Sequence, residues 1–144
     1  MVATSDDLRL AIDLYKDSNT VLVSLWTYFA SLAVPLLVFV LGFTNRIPGR
    51  VKIALAVIFS FFAGLNAYSM WRAQLTLQSA AQAIQRLTKE VAVTDALQYP
   101  LSTLNVLAPW VDVGMQLTLS VLTLVAIWVA HYNPDMLLKP PART

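Results

Sequence analysis

Three long apolar stretches, separated by short polar segments, dominate the sequence. They cover residues 20–43, 53–71 and 110–132, and the first two contain no Lys, Arg, Asp or Glu. A bilayer core about 30 Å thick is crossed by about 20 apolar residues in helical conformation. A backbone in lipid must also satisfy its own hydrogen bonds, which a helix does within one segment. The pattern therefore predicts three transmembrane helices.

The second apolar stretch is predicted to continue as a helix outside the membrane. Residues 72–98 contain no glycine or proline that would end it. Apolar residues recur there at spacings of three and four, in what we call the assembly seam: Met70, Ala73, Leu77, Ala80, Ile84, Leu87 and Val91. Such a narrow apolar seam needs a partner helix.

Residues 1–19 form the one candidate partner within the chain. They are predicted to be an amphipathic helix, with Thr4 or Ser5 as N-cap and Asp6 and Asp7 in the first turn, where negative charge is stabilising. In one interpretation this helix packs on the seam of the same chain or lies on the lipid headgroups. In the other, the seam binds another subunit.

The remaining segments are short and polar. Residues 44–52 read as a basic hairpin loop, 99–109 as an irregular connector and 133–144 as a cytoplasmic tail. The predicted fold class is therefore an all-α membrane protein, with three transmembrane helices and an extramembrane helical cap.

The composition supports this class and excludes others. The 144 residues are 58% apolar and 12% charged, whereas soluble domains average about 45–50% and about 25%. A disordered chain or an ordinary soluble globule is therefore not expected. The net charge is only +2 and no basic run occurs, so we expect no nucleic-acid partner.

The position of the basic residues predicts the orientation. Arg46, Arg50 and Lys52 lie in the short hairpin between the first two spans. Short basic loops stay in the cytoplasm. We therefore expect an integral protein of a bacterial-type inner membrane, with the hairpin and the C-terminus cytoplasmic and the N-terminus outside.

Few side chains offer catalytic or metal chemistry. The chain has no cysteine and one histidine, His131, and it contains no serine-hydrolase elbow motif. We therefore expect no enzyme, no metal site and no cofactor. One less favoured hypothesis makes His131 a haem ligand in a respiratory membrane-anchor subunit.

Polar residues form a stripe on the third span. Asp112, Gln116, Ser120 and Thr123 follow at steps of four, four and three, which places them on one helix face. The stripe either lines a polar path with a carboxylate at its mouth or faces the interior of the helix bundle. Arg72 is a candidate ion-pair partner for Asp112.

Small residues recur on the second span. Ala56, Ser60 and Gly64 are spaced by four, which lets another helix approach closely.

These features favour a non-enzymatic membrane protein that assembles through helix packing, either with itself or with another membrane protein through its cap. The alternative is a small oligomeric pore or ion channel, motivated by the polar stripe. Phage holins of the three-span type are similar in size and predicted topology, although this chain lacks their highly charged tail.

Overall fold

The computed structural model describes residues 4–42, 47–91, 95–102, 104, 106 and 108–132. Within them the chain forms four helices: α1 (Ser5–Gly42), α2 (Gly49–Glu90), α3 (Asp95–Ser102) and α4 (Pro109–Tyr132). No β-strand occurs in these ranges. Three of the helices, α1, α2 and α4, are long and apolar enough to cross a membrane. The predicted helical class with three candidate spans is thus confirmed.

Helix α1 joins two segments that the sequence pattern separates. The predicted amphipathic helix and the first span form one continuous helix of 38 residues. The polar residues at the junction fit into it, because the Thr20 hydroxyl donates to the Lys16 carbonyl at 3.0 Å and the Ser24 hydroxyl to the Thr20 carbonyl at 2.9 Å. Proline first appears at Pro35, so nothing before it breaks the helical hydrogen bonding.

The start of α1 is closed by a reciprocal cap. Asp7 Oδ2 accepts hydrogen bonds from the Thr4 backbone N–H at 3.0 Å and from the Thr4 hydroxyl at 2.8 Å. The Asp7 N–H donates back to Thr4 Oγ1 at 3.3 Å. Thr4 is therefore the N-cap residue. The hydrogen bonds from the Thr4 backbone and side chain hold the pKa of Asp7 below its ordinary value, because they favour the charged carboxylate.

Helix α2 ends earlier than the predicted residue 98. It stops at Glu90, and the separate helix α3 covers the end of the predicted extension and the start of the predicted connector. Val91 follows the last residue of α2, and a β-branched residue has low helix propensity. Helix α3 includes Pro100 and ends two residues later, since proline removes one backbone donor.

The helices pack into two compact units. Unit 1 combines Met1–Leu25 with Tyr68–Val113, and unit 2 combines Trp26–Ala67 with Gly114–Thr144. Unit 2 has a core of Phe29, Ala33, Phe59 and Ala63. The Phe29 and Phe59 ring centroids lie 6.2 Å apart. A second cluster joins Val40 to Ile127, so residues from α1, α2 and α4 all contribute to the packing of this unit.

Unit 2 turns polar side chains inward and large apolar side chains outward. Gln116 and Thr123 are 0% and 2% exposed, whereas Phe61 and Ile58 are 71% and 64% exposed. In water such a surface would leave much apolar area unburied, but lipid tails accept it. This distribution is the one expected of helices surrounded by a bilayer.

Candidate functional site

The assembly seam is buried within unit 1. Met70, Leu77, Ala80 and Ile84 are all buried, and Ile84 retains only 1% of its exposure. The other members, Ala73, Leu87 and Val91, are half-buried. The spacing of the seam residues thus identifies a face of α2 that packs against other side chains.

Residues from the N-terminal part of α1 cover the part of the seam around Ile84. Leu8, Ala11 and Ile84 form one buried cluster, and further apolar side chains pack against it: Ile12, Tyr15, Ala83, Leu87, Leu101 and Leu104. These contacts agree with the interpretation in which the N-terminal helix packs on the seam of its own chain. A second subunit would meet the faces of these helices that point away from the cluster.

The connector contributes more to unit 1 than the sequence analysis predicted. Leu101 and Leu104 pack against the Ile84 cluster, and Gln85 Nε2 donates to the Leu104 carbonyl at 2.6 Å. The spacing of Leu97, Leu101 and Leu104 by four and three was an available signal. It was missed because Tyr99 and Pro100 pointed to a helix end.

The polar stripe of the third span is divided between the units. Gln116, Ser120 and Thr123 lie in unit 2 and are buried. The Ser120 hydroxyl donates to the Gln116 carbonyl at 2.8 Å and the Thr123 hydroxyl to the Leu119 carbonyl at 2.9 Å. Both hydroxyls are therefore satisfied within α4, as is common for Ser and Thr in membrane helices.

Gln116 makes the hydrogen bond between helices. Its Nε2 donates to the Ala63 carbonyl on α2 at 3.3 Å, while its Oε1 is buried with no partner among the described residues. An amide that joins two helices favours the packing interpretation of the stripe. A polar path along these residues stays a prediction.

Asp112, at the start of the stripe, lies in unit 1 and is half-buried. It accepts a hydrogen bond from Gln74 Nε2, and Gln74 is 1% exposed. Arg72, the predicted ion-pair partner, is exposed. The structure thus gives the carboxylate an amide partner, because residue 74 and not residue 72 lies on the buried face of α2.

The row of small residues on α2 changes its environment along the helix. Ala56 is half-buried and packs against Val40 and Ile127. Ser60 and Gly64 are exposed, and a Cβ added to Gly64 would meet nothing within 4 Å. On α2, the small residues that are buried within unit 2 are Ala63 and Ala67. The close approach predicted at Ser60 and Gly64 is therefore available to a second molecule.

Unit 2 also contains an apolar groove of about 390 Å³. Residues of α1 and α4 line it: Trp26, Phe29, Ala30, Ala33, Val34, Leu37, Leu119, Leu122 and Thr123. The Thr123 hydroxyl in this lining already donates to the Leu119 carbonyl. The groove is therefore lined mainly by apolar side chains.

Among the described residues, the candidate ligands for a metal ion or a haem group form no further site. Over those residues, no group of three or more His, Asp or Glu side chains could hold a metal ion. His131 lies within α4, but its side chain is outside the described part of the chain. The haem-ligand hypothesis therefore falls outside the described residues.

Comparison with known proteins gives no relative. The chain matches no protein family, no curated protein and no solved structure.

The pairing of Asp112 with Gln74 predicts unequal effects of two substitutions. Asp112→Ala should lower the free energy of unfolding by about 1.5–3 kcal/mol, because it removes a charge-assisted hydrogen bond and leaves a buried amide unpaired. Arg72→Ala should change it by less than about 0.5 kcal/mol. Unfolding in lipid bicelles measures both. Equal losses that do not add in the double variant would instead indicate an Arg72–Asp112 ion pair.

A second prediction concerns Gln116 Oε1, which has no hydrogen-bond partner among the described residues. Gln116→Leu should change the free energy of unfolding by less than about 1 kcal/mol, because a hydrogen bond between membrane helices averages about 0.6 kcal/mol and the unpaired oxygen disappears with it. The matched variant Gln116→Glu should cost more, since it buries a carboxyl group.

Ion flux across liposomes completes this test. If wild-type protein conducts ions and Gln116→Leu abolishes the flux without unfolding the protein, the stripe lines a path and the packing interpretation is wrong.

Proposed function

We propose that this chain is a non-enzymatic integral membrane protein that crosses the bilayer three times and assembles through helix packing. Assembly takes place with further copies, or with a larger membrane complex in which the chain is an accessory subunit. The observation that carries the proposal is the pair Ser60 and Gly64, which lie exposed on α2 where none of the described residues covers them.

The surface of unit 2 supports the membrane part of the proposal. Its large exposed side chains are apolar, as at Val57 (63%), Phe61 (71%) and Val125 (50%). Its buried polar groups include Gln116 and Asn66. Lipid around this unit would solvate the exposed apolar side chains, while inside it the Ala63 carbonyl accepts a hydrogen bond from Gln116 Nε2.

The small exposed residues support the assembly part. Between membrane helices the hydrophobic effect gives little attraction, because lipid tails are as apolar as leucine. Association then depends on close van der Waals contact, which small residues allow by exposing the helix backbone. Ser60 and Gly64 create such a shallow strip next to the bulky Val57 and Phe61.

The basic hairpin supports the orientation. We propose that residues 44–52 and the C-terminus face the cytoplasm and that the N-terminus lies outside a bacterial-type inner membrane. A C-terminal green fluorescent protein fusion in bacteria should therefore fluoresce, and a C-terminal alkaline phosphatase fusion should be inactive. The opposite pair of results would reverse the proposed orientation.

The exposed glycine predicts a loss of assembly without a loss of fold. Gly64→Leu adds its side chain into open space within the monomer, and it raises helix propensity by up to about 1 kcal/mol. In a helix contact the same side chain would separate the two backbones. We expect wild-type protein to form oligomers in nanodiscs by native mass spectrometry, and Gly64→Leu to shift the population toward monomer about tenfold or more.

Ala54→Leu is the matched control. Ala54 is also exposed on α2, and at 100° per residue it lies about 120° from the middle of the Ala56, Ser60 and Gly64 row. If the wild-type protein is monomeric, the proposal takes its accessory-subunit form, which crosslinking in native membranes tests. If Gly64→Leu leaves assembly unchanged, whether with further copies or with a larger complex, this face is not the packing surface.

A further inference from the structure

The N-terminal part of α1 carries an exposed face in unit 1 that is both acidic and apolar. Its members lie within an arc of about 100° on the helix, and all are exposed: Asp6, Leu10, Asp13, Leu14, Asp17 and Val21. Leu10 retains 71% of its exposure and Leu14 45%. We call this surface the acidic face. It points away from the Ile84 cluster, since Leu8 and Ala11 occupy the buried side.

Helix α2 carries an exposed face of the opposite charge in the same unit. Within an arc of about 80° it presents a second set of exposed residues: Leu75, Ser79, Gln82, Arg86 and Lys89. We call this surface the basic face. It contains two cations and no carboxylate, while the acidic face contains three carboxylates and no cation.

The charges of these two faces have no ion-pair partner within the described part of the chain. Across the described residues, no ion pair joins the carboxylates of the acidic face to a basic side chain, and Arg86 and Lys89 likewise have none. Arg9 and Lys16 lie on the flank of α1, outside the acidic arc. Each face therefore keeps a charge and an apolar surface available to a partner.

The packing inside unit 1 fixes which residues of α1 and α2 lie at the same level. The two helices run antiparallel, and both Leu8 and Ala11 pack with Ile84. Because both helices rise about 1.5 Å per residue, moving one residue toward the C-terminus of α1 corresponds to moving one residue toward the N-terminus of α2. This register puts Asp6 level with Arg86 and Lys89, and Val21 within a turn of Leu75.

The middle of the two faces also matches. In the same register Asp13 is level with Gln82, whose amide group supplies hydrogen-bond donors, while the Ser79 hydroxyl at that level already donates to the Thr76 carbonyl at 2.8 Å. Two copies that cross one bilayer in the same orientation hold their helices at equal levels. The acidic face of one copy then meets cations at its outer end, neutral donors in the middle and a leucine at its inner end.

We propose that the acidic face of one copy binds the basic face of a second copy. The inference rests on the proposed function, because the bilayer is what holds the two copies level. Since the two faces differ, the contact is heterologous, and repetition closes a ring or extends a row of subunits. Leu10, Leu14 and Leu75 supply apolar contact, while the charges set the register and exclude wrong partners.

The charge pattern favours a second copy over lipid headgroups. Anionic headgroups attract basic segments and repel carboxylates, so the acidic face does not fit a lipid surface. The basic face alone would fit one with two cations. A second copy satisfies both faces at once, and binding of anionic vesicles is the competing result for the basic face.

Cysteine crosslinking tests the contact directly, because the chain has no cysteine of its own. Asp13→Cys and Gln82→Cys are made in separate full-length chains, mixed, reconstituted in nanodiscs and oxidised. We expect a disulfide between the two different chains, and little dimer from either chain alone. The control pairs Gln82→Cys with Lys16→Cys, which is exposed on the flank of α1 and should crosslink at least about fivefold less.

Charge reversal tests the register. Arg86→Glu combined with Lys89→Glu in the Gln82→Cys chain should lower the crosslinking yield about tenfold at low salt. Adding Asp6→Lys to the Asp13→Cys partner should recover part of it. Helicity by circular dichroism checks that these exposed substitutions leave the fold unchanged.

The outcomes separate this inference from the proposed function. A mixed disulfide that responds to charge reversal supports the contact. Disulfides only between identical chains, or none, or a basic face that binds anionic vesicles instead, would overturn it. In those cases, loss of oligomers in the Gly64→Leu variant would still support assembly through α2. A chain that assembles neither with further copies nor with a larger complex would refute the proposed function as well.

Discussion

The need to satisfy polar groups without water organises unit 2. Its hydroxyl groups on α4, at Ser120 and Thr123, donate to carbonyls one turn back in their own helix. Gln116, whose side chain is too long for that solution, reaches the Ala63 carbonyl of α2. These three groups are buried, whereas large apolar side chains such as Phe61 and Ile58 are exposed. A polar group away from water needs a partner within the protein, and these hydrogen bonds supply it.

Unit 1 solves a different problem, since it packs an amphipathic helix against the continuation of α2. The Ile84 cluster uses the apolar side of both helices, and Leu101 and Leu104 close it from the connector. Each helix leaves one exposed face that carries charge, and the acidic face of α1 and the basic face of α2 have opposite signs. The packing inside unit 1 therefore leaves two complementary surfaces. The antiparallel register of α1 and α2 also sets the levels at which these surfaces would meet in the proposed contact between copies.

In the proposed assembly, the small-residue strip and the two charged faces have complementary roles. The strip at Ser60 and Gly64 offers close contact but no directional group, so by itself it would allow helices to slide. The acidic and basic faces offer direction and register, although exposed ion pairs are individually weak. The proposed association would therefore depend on lipid for its strength and on charge for its specificity.

The helical class, the three apolar stretches and the face of α2 that packs can be predicted from the sequence alone, because apolar periodicity and composition are local properties. For the N-cap of α1 the sequence left Thr4 and Ser5 as alternatives, and the structure selects Thr4. The sequence did not determine where α2 ends or which residues cover the seam. It also pointed to Arg72 as the partner of Asp112, whereas the structure has Gln74 there. These features depend on the tertiary structure, because burial selects among residues that lie close together along a helix. The same reason separates Ala63 from Gly64: adjacent small residues look alike in sequence, and only packing decides which one stays exposed.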